Sequence, residues 1–468
     1  MALLDPDRLF PVESKLRGLA RALYETVADA PIISPHGHTD PRWFAENQPF
    51  PDPSQLFVVP DHYVFRMLHS QGVKLKDMGV PRLDGGPVET DPRKIWHLFA
   101  AHYHLLRATP SRMWLDHSFQ HVFGLDVPLS ADTADMYFDH ISDCLARPDY
   151  LPRALFERFN IEVIATTEGP LDDLKYHKMI GESGWSGRVI TAYRPDPVTD
   201  PDFEGFADNI EQFCALGGQS GTSWPEYLAA HRDRRAYFKR FGATSTDHGH
   251  PTAHTLDLPP EEAAALYEKV RAGKGDAVDH EAFRGQMLTE MARMSLDDGL
   301  VMQIHPGALR NHSAPVLARH GRDKGYDIPT RTDYVRALRP LLDAVGEEPS
   351  LTILLFTLDE TAYARELAPL AGVYPALKLG PAWWFYDSPE GMRRYREMTT
   401  ETAGFYNTVG FNDDTRAFTS IPARHDVARR VDAGFLATLV ATGRLREDEA
   451  YEVIQDLAHR LAKQAYRL

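Results

Sequence analysis

The sequence has little cysteine and no long apolar run. Its 468 residues include only two cysteines, Cys144 and Cys214, which lie far apart in helix-like sequence. Such a pair builds neither a disulfide framework nor a cysteine-based metal site, so we expect a reducing, cytoplasmic setting. The apolar runs are strand-sized, as at residues 351–356, and none is long enough to cross a bilayer. The N-terminal MALLDPDRL also lacks the basic and then apolar order of a signal peptide.

Basic residues are in the minority. The 51 lysines and arginines are outnumbered by 67 aspartates and glutamates, which gives a formal net charge of −16. A surface of this sign repels nucleic acid and anionic lipid, and no basic stripe reverses it locally. We therefore predict neither a nucleic-acid partner nor a membrane partner. A small anionic substrate remains compatible with this charge, because a few arginines in a cleft are enough to bind it.

Eight short apolar runs alternate with longer helical patterns. The predicted strands are residues 31–34, 162–167, 188–193, 243–247, 300–304, 351–356, 376–380 and 408–411. Eight buried strands alternating with helices favour an α/β fold with a closed (β/α)8 barrel of the TIM type, although a doubly wound sheet alternates in the same way. Capping residues and periodicity predict the clearest barrel helices at residues 259–273, 279–299, 332–346, 358–371 and 388–402.

A barrel of this type needs about 250 residues, so a large part of the chain must lie elsewhere. We predict an N-terminal helix and the first barrel strand in residues 1–40, a helical insertion in residues 41–159, the rest of the barrel in residues 160–425, and C-terminal helices in residues 426–468. The insertion is expected at the rim of the active site, which lies at the carboxyl ends of the strands in barrel enzymes. The C-terminal helices are expected to pack outside the barrel.

His36-Gly37-His38 directly follows the first predicted strand. Alternate residues of an extended segment point to the same side, so both imidazoles can reach one metal ion. Two unrelated loop histidines would give the same triplet. Its position at the carboxyl end of a barrel strand, where barrel enzymes have their active sites, favours a pair of metal ligands.

A further ligand is available after the last predicted strand. In a closed barrel strand eight neighbours strand one, so a carboxylate from Asp413-Asp414 would lie beside His36 and His38. An aspartate pair after a strand is also typical of a turn or a helix cap, and Asp413 fits that alternative well. The sixth predicted strand ends without a histidine, so these residues suit one metal ion better than two.

Other polar or aromatic side chains follow other predicted strands. Arg194 comes after strand three, Asp247 ends strand four, His305 follows strand five and Trp383 lies just beyond strand seven. Each has a plain structural explanation, such as a surface ion pair, a buried hydrogen-bonded histidine or aromatic packing. Together they form a ring that an ordinary barrel does not need, which indicates an active site at the carboxyl ends of the strands.

With these residues the chain resembles the uronate isomerase (glucuronate isomerase) family, a branch of the amidohydrolase superfamily. The resemblance covers essentially the whole chain. It rests on motifs in a fixed order: the H-x-H pair, Asp61-His62-Tyr63 with Arg66 and Met67, Arg194-Pro195-Asp196, Asp247-His248-Gly249, the block from Met302 to Asn311, Trp383-Trp384-Phe385, Asp414-Thr415-Arg416 and the region of Pro422, Arg424 and His425. The family run Thr-Asp-Ser-Arg matches its aspartate to Asp414, and leaves open whether Asp413 shares that role.

The resemblance implies a distorted (β/α)8 barrel with an inserted helical region that binds one divalent metal ion, usually zinc. It implies reversible conversion of D-glucuronate to D-fructuronate and of D-galacturonate to D-tagaturonate. The partner is then a small sugar acid, and assembly into a homo-oligomer is left open. The expected metal-site residues are His36, His38 and Asp414. The residues expected around the sugar acid are Tyr63, Arg194, Asp247, His305 and Arg416, to which we add Trp383.

Such an isomerisation moves a carbonyl from C1 to C2. One base achieves this through a cis-enediol by taking the proton from C2 and returning it to C1. Our hypothesis makes Asp414 that base, Tyr63 the group that handles the hydroxyl protons, and His305 a hydrogen-bonding partner of a sugar hydroxyl. Arg194 and Arg416 orient the substrate, because an arginine fork suits a carboxylate or vicinal hydroxyls.

Two alternatives use the same residues. A hydrolase of the same superfamily would activate water at the H-x-H pair and Asp414 to act on an amide, a lactone or a deaminable base. Tyr63 and the two arginines favour a sugar acid instead. A barrel that only binds a ligand would show no turnover and would tolerate Asp414→Asn.

Overall fold

A parallel sheet of seven strands forms the centre of the protein. Its computed structural model describes residues 3–468. Within these residues there are nine strands: β1 Ile32–Ser34, β2 Ile161–Glu168, β3 Val189–Tyr193, β4 Ser245–His248, β5 Val301–Ile304, β6 Ala308–Leu309, β7 Ile328–Pro329, β8 Ile353–Leu355 and β9 Leu377–Leu379. The seven run in the order β1-β2-β3-β4-β5-β8-β9, and β6 pairs antiparallel with β7 in a separate ribbon. Every residue of β3, β4, β5 and β8 is buried, as expected of parallel strands covered on both faces.

The predicted barrel is confirmed, but its eighth strand is not a regular strand. In residues 408–411 only Thr408 forms a bridge, with Leu379. Gly410 adopts φ +74°, which interrupts the extended conformation, and a Cβ at this position would stand 2.6 Å from the carbonyl oxygen of Leu457. The seven paired strands therefore curl into a half-barrel, and a loop occupies the eighth position. This loop is tied back to the first strand segment where the His38 N–H donates to the Thr415 carbonyl at 3.1 Å.

Helices alternate with the strands around the outside. They are α9 Lys175–Glu182, α10 Asp196–Thr199, α11 Phe206–Leu216, α12 Trp224–Lys239, α13 Pro260–Arg271, α14 Ala277–Asp298, α15 Ala314–His320, α16 Arg339–Val345, α17 Ala368–Ala371 and α18 Pro389–Thr400. The predicted helix over residues 332–346 is wrong in its first half, because α16 begins only at Arg339. Tertiary hydrogen bonds hold the preceding segment, where the Tyr334 N–H donates to Glu366 and the Thr332 N–H to Asp359.

Residues 41–159 contain helices with a largely separate core. The helices are α2 Pro41–Glu46, α3 Pro53–Phe57, α4 His62–Ser70, α5 Pro92–His102, α6 Pro110–His117, α7 Ala134–Leu145 and α8 Pro152–Arg158. Their aromatic interior includes Trp96, Phe119 and Tyr137, and it packs against Ile32 of β1 and Ile164 of β2. The helical region thus lies beside the first two strands and brings the beginning of α4 over the carboxyl end of β1.

The last helices enclose and partly fill the barrel. Helix α1 Ser14–Glu25 packs on α19 Ile421–Ala441, which is followed by α20 Glu447–Gln455 and α21 Leu461–Ala465. Tyr466 is fully buried beside Val301 and Leu354, and its hydroxyl donates to Gln303 of β5 at 2.7 Å. The end of the chain therefore reaches the barrel interior, whereas the sequence led us to expect it outside. No helix within residues 3–468 is long and apolar enough to span a membrane.

Candidate active site

One cavity of about 350 Å³ opens at the carboxyl ends of the parallel strands. Eight of the nine predicted site residues line it: His36, His38, Tyr63, Arg194, His305, Trp383, Asp414 and Arg416. They come from the segments after β1, β3, β5 and β9, from the first turn of α4, and from the loop before α19. The ninth, Asp247, is fully buried on β4 behind the wall of the cavity. Residues distant in sequence therefore meet at one site.

Three side chains in this cavity fit a metal ion. The Nε2 atoms of His36 and His38 lie 3.4 and 3.2 Å from Oδ1 of Asp414. Ligand atoms about 2 Å from a tetrahedral ion lie about 3.3 Å from one another, so these distances match the edges of such a site. Oδ1 of Asp414 is buried and accepts no hydrogen bond from the described residues. Within residues 3–468 this is the one group of histidine, cysteine or acidic residues with such spacing.

The electrostatics of the group favour a cation beside an ionised Asp414. Burial acts to raise the pKa of Asp414, but contact with the two imidazoles holds it well below its usual range. Burial acts to lower the pKa of His36, but the carboxylates of Asp247 and Asp414 outweigh it and leave that pKa raised. Burial lowers the pKa of His38 in spite of the same contact with Asp414. Asp414 thus stays ionised at neutral pH and can balance a bound cation.

The backbone distinguishes Asp414 from its neighbour Asp413. Asp414 has φ +39°, a left-handed conformation that is costly for a residue with a Cβ and that recurs at functional sites. Asp413 turns away from the imidazoles, and its Oδ2 lies 3.0 Å from Nε2 of the buried His425. Only one of the two aspartates therefore faces the histidine pair.

Arg194, Asp247 and His305 form a buried charged cluster below the cavity. Oδ1 of Asp247 lies 2.7 Å from Nε2 of His305, and its Oδ2 lies 3.3 Å from Nη1 of Arg194. Arg194 also donates through Nε to Asp196 at 2.8 Å. Burial would raise the pKa of Asp247, but the charges of His305, His36 and Arg194 hold it well below its usual range. Asp247 therefore positions two side chains that do face the cavity.

Tyr63 belongs to a second buried network that the sequence analysis missed. Its hydroxyl donates to Oδ2 of Asp387 at 3.4 Å, and the same oxygen accepts from Nη1 of Arg424 at 2.8 Å. The Arg424 guanidinium stacks over Trp114 at 3.6 Å. Burial and the charge of Asp387 raise the pKa of Tyr63 well above its usual value. In the sequence Asp387 stands just before the helix cap Ser388, so it resembled an ordinary turn residue.

The two remaining predicted residues occupy different parts of the wall. Trp383 is buried, with its ring 5.2 Å from that of His305 and 6.3 Å from that of His36, and its indole N–H donates to the Thr357 carbonyl. The Arg416 side chain is 40% exposed and lies 3.8 Å from Asp323, which sequence reasoning also missed. Trp383 thus forms a rigid part of the wall beside the imidazoles, while Arg416 is free to turn toward a ligand.

A parallel barrel with His36, His38 and Asp414 at the carboxyl ends of its strands defines an enzyme with an amidohydrolase-like fold. A family model described as glucuronate isomerase matches residues 13–466. The uronate isomerases of Rhizobium meliloti and Mesorhizobium japonicum are each 68% identical to this chain; the first match covers 100% of the chain and 99% of the relative, and the second covers 100% of both. The crystal structure of glucuronate isomerase from Caulobacter crescentus superimposes with a TM-score of 0.98 at 60% identity, covering 100% of this chain and 98% of that one.

The chain belongs to the glucuronate isomerase family, and it is an isomerase. These matches do not favour the hydrolase alternative.

Proposed function

We propose that the enzyme interconverts D-glucuronate with D-fructuronate and D-galacturonate with D-tagaturonate at this cavity. The observation that carries the proposal is the meeting of His36, His38 and Asp414 in a cavity that also exposes Arg194 and Arg416. A sugar acid offers a carboxylate and vicinal hydroxyls to such a set of groups. The family matches support the same substrate class. Two free, buried cysteines agree with a cytoplasmic location.

His36, His38 and Asp414 would hold one divalent ion, which we propose to be zinc. Two imidazoles and a carboxylate are a donor set that zinc accepts. When bound, the ion supplies a Lewis acid that stabilises negative charge on the substrate oxygens.

Proton transfer between C2 and C1 is assigned to Asp414. Its Oδ1 faces the imidazoles and accepts no hydrogen bond from the described residues. The low pKa of Asp414 keeps it ionised and able to accept the C2 proton at neutral pH. The same carboxyl then returns that proton to C1 of a cis-enediol, as one base on one face of the substrate can do.

Movement of the hydroxyl protons is assigned to Tyr63. Its raised pKa keeps the phenol protonated at neutral pH, and Asp387 fixes the direction of its O–H. Arg194 and Arg416 bind the carboxylate and neighbouring hydroxyls by paired N–H donors. His305, held by Asp247, hydrogen-bonds a further hydroxyl, and Trp383 limits the volume open to the sugar.

The proposal is tested by metal analysis together with a ketose assay on glucuronate and galacturonate. We expect about one metal ion per chain in the wild type. His36→Ala should lose most of the metal, and Asp414→Asn should lower kcat at least 10²-fold. Solvent deuterium should enter C1 or C2 during turnover, because a base exchanges its proton with water.

Two variants serve as controls. His104→Ala changes an exposed histidine that bonds only a backbone carbonyl, and it should retain metal and activity. Asp413→Asn tests the neighbouring carboxylate, and it should affect the metal content less than Asp414→Asn does. Unchanged rates in both His36→Ala and Asp414→Asn would refute the site. Ammonia or acid released from an amide or lactone, without ketose formation, would refute the isomerisation at this site.

A further inference from the structure

A second cavity, of about 640 Å³, lies at the opposite end of the barrel. Its wall contains Ile32, where β1 begins, and Phe159 and Asn160, which directly precede β2. His36 and His38 follow the other end of β1, so the two cavities are separated by the length of the strands. We call this second space the basal cavity. Neither the predicted site nor the proposed reaction uses it.

The basal cavity is positively charged in an otherwise acidic protein. The described residues that line it include four arginines, Arg8, Arg158, Arg429 and Arg430, and two acidic residues, Asp29 and Asp426. The lining thus carries a formal excess of two positive charges, whereas the whole chain has a net charge of −16. Cationic side chains gathered in a concave site focus potential and attract anions.

The acidic groups neutralise only part of this charge. Asp426 is already bonded to Arg8 at 2.5 Å and to Arg430 at 3.0 Å. Asp29 is exposed. Arg429 is buried, and its terminal nitrogens donate only to backbone carbonyls. Its Nε is buried without a hydrogen-bond acceptor among the described residues. Carbonyl oxygens satisfy N–H groups but carry no net charge, so the buried Arg429 makes no direct ion pair with a described carboxylate.

Arg158 stands at the exposed mouth of the same cavity. It donates through Nη2 to the carbonyls of His121 and Val122, which orients the guanidinium without pairing its charge. The rings of His117 and His121 lie 4.5 Å apart in the wall. Nδ1 of His117 is buried without a partner in the part of the chain that the structure describes. Burial, together with nearby His121 and Arg8, lowers the pKa of His117 to about 3, so this ring is neutral and available as a donor.

Helix α19 separates this cavity from the active site. Pro422, Asp426, Arg429 and Arg430 line the basal cavity and recur at the spacing of one helical face. Arg424, which lines the active-site cavity, projects from another face. A ligand in the basal cavity would therefore not compete with the sugar acid.

We propose that the basal cavity binds a small oxyanion, the phosphate or carboxylate group of a metabolite, between the guanidinium groups of Arg158 and Arg429. Nε and Nη1 of Arg158 donate no hydrogen bond to the described residues and can bind the oxygens of either group, while the buried Arg429 adds positive charge. The imidazole of His117 adds a neutral donor in the wall. Phosphate and carboxylate sources share this chemistry, and titration with each distinguishes them.

The test measures binding to the whole chain by calorimetry and by the thermal midpoint. The probes are inorganic phosphate and D-gluconate, a sugar acid without a carbonyl to isomerise, at an ionic strength held constant with sodium chloride. At least one probe should bind saturably and raise the thermal midpoint, since a ligand of the folded state stabilises it. A response to phosphate alone identifies a phosphate-bearing ligand, and a response to gluconate alone identifies a carboxylate.

Variants locate the binding. Arg158→Gln and, independently, His121→Glu at the exposed mouth should each weaken affinity at least tenfold. Arg147→Gln, which alters an exposed arginine paired with Asp149, should leave affinity unchanged. Arg416→Gln should leave the affinity for phosphate unchanged, because that residue lines only the active-site cavity. D-Gluconate, as a sugar acid, is also expected to bind in the active site, so only the part of its binding that survives in Arg416→Gln is assigned to the basal cavity. Absence of saturable binding by either probe, or binding that survives both mouth variants, would overturn the proposal. Loss of binding in Arg416→Gln alone would place the anion in the active site and would equally overturn it.

Discussion

At the scale of single residues, backbone conformation and burial decide what a side chain does. Asp413 and Asp414 are chemically identical neighbours, yet one contacts His425 and the other faces the two metal-site imidazoles. The sequence indicated that an aspartate belonged there, and the motif favoured Asp414. Only the φ of +39° at Asp414 and the position of His425 explain why the two carboxyls diverge.

Glu168, at the end of β2, allows a prediction about pH. It is 8% exposed, and burial raises its pKa from 4.5 to about 7. Because the folded-state pKa lies above the unfolded value, the stability linked to this group is present below about pH 4.5 and is lost as the pH rises through about 7. Glu168→Gln cannot ionise. We expect the free energy of unfolding of this variant to exceed that of the wild type by about 3 kcal/mol at pH 8 and to be close to it at pH 5.

Urea unfolding of both proteins at the two pH values measures the difference for Glu168→Gln. The same substitution at the exposed Glu401 provides the control, and it should leave the free energy of unfolding nearly unchanged at either pH. A Glu168→Gln variant that is less stable than the wild type at pH 8 would contradict the prediction.

At the scale of elements, one carboxylate joins α1, α19 and the N-terminal segment, in addition to the apolar packing of the two helices. Asp426 of α19 accepts from Tyr24 of α1 and from Arg430, and it pairs with Arg8 of the N-terminal segment. The side chains of Arg8 and Asp426 are each 12% exposed, so their charges are poorly screened. The sequence predicted a helix in each of these two regions. It did not predict that one acidic group would join them, since this depends on how the helices pack.

Removing the carboxylate of Asp426 should destabilise the packing of α1 on α19. Asp426→Asn leaves two arginines without their partner, and we expect a loss of about 3 kcal/mol in the free energy of unfolding at pH 7. The folded-state pKa of Asp426 is held below 3.8, so its contribution is present above pH 3.8 and is lost as the pH falls through the lowered pKa.

The difference between Asp426→Asn and the wild type should therefore shrink in acid, which denaturant titrations at pH 7 and pH 3 would show. Asp448→Asn removes one partner of Arg446 in a pair that is about 70% exposed, and it should leave the free energy of unfolding nearly unchanged. Equal losses in the two variants would argue against a buried ionic contact between the helices.

At the scale of the whole molecule, the two ends of the chain complete the barrel. The N-terminal helix packs on α19, and the C-terminal Tyr466 fills the barrel interior near Val301 and Leu354. Its hydroxyl bonds to Gln303, and Asn412 of the site loop donates to the same hydroxyl at 3.3 Å. The last residues thus support the loop that carries Asp414.

Two substitutions at Tyr466 separate packing from hydrogen bonding. Tyr466→Phe should lower the free energy of unfolding by about 1 kcal/mol, because Gln303 loses a donor. Tyr466→Ala should lower it by about 4 kcal/mol, because it opens a cavity in the barrel interior. Denaturant unfolding measures both, and Tyr406→Ala at a side chain that is 56% exposed is the control. Similar stability of Tyr466→Ala and the wild type would show that the chain end does not fill the barrel.

The sequence alone determined the alternation of buried parallel strands with helices and most of the residues at the carboxyl ends of the strands, while the choice of a barrel over a doubly wound sheet was strengthened by the family resemblance. These features follow from local periodicity and from the rule that parallel strands present their carboxyl ends on one side. Only the tertiary structure decided that residues 408–416 form a loop, that Asp387 and Arg424 hold Tyr63, and that Tyr466 enters the barrel. Each of these features depends on contacts between segments that are remote in sequence. Local sequence patterns do not show which remote segments will be in contact, so they could not predict these features.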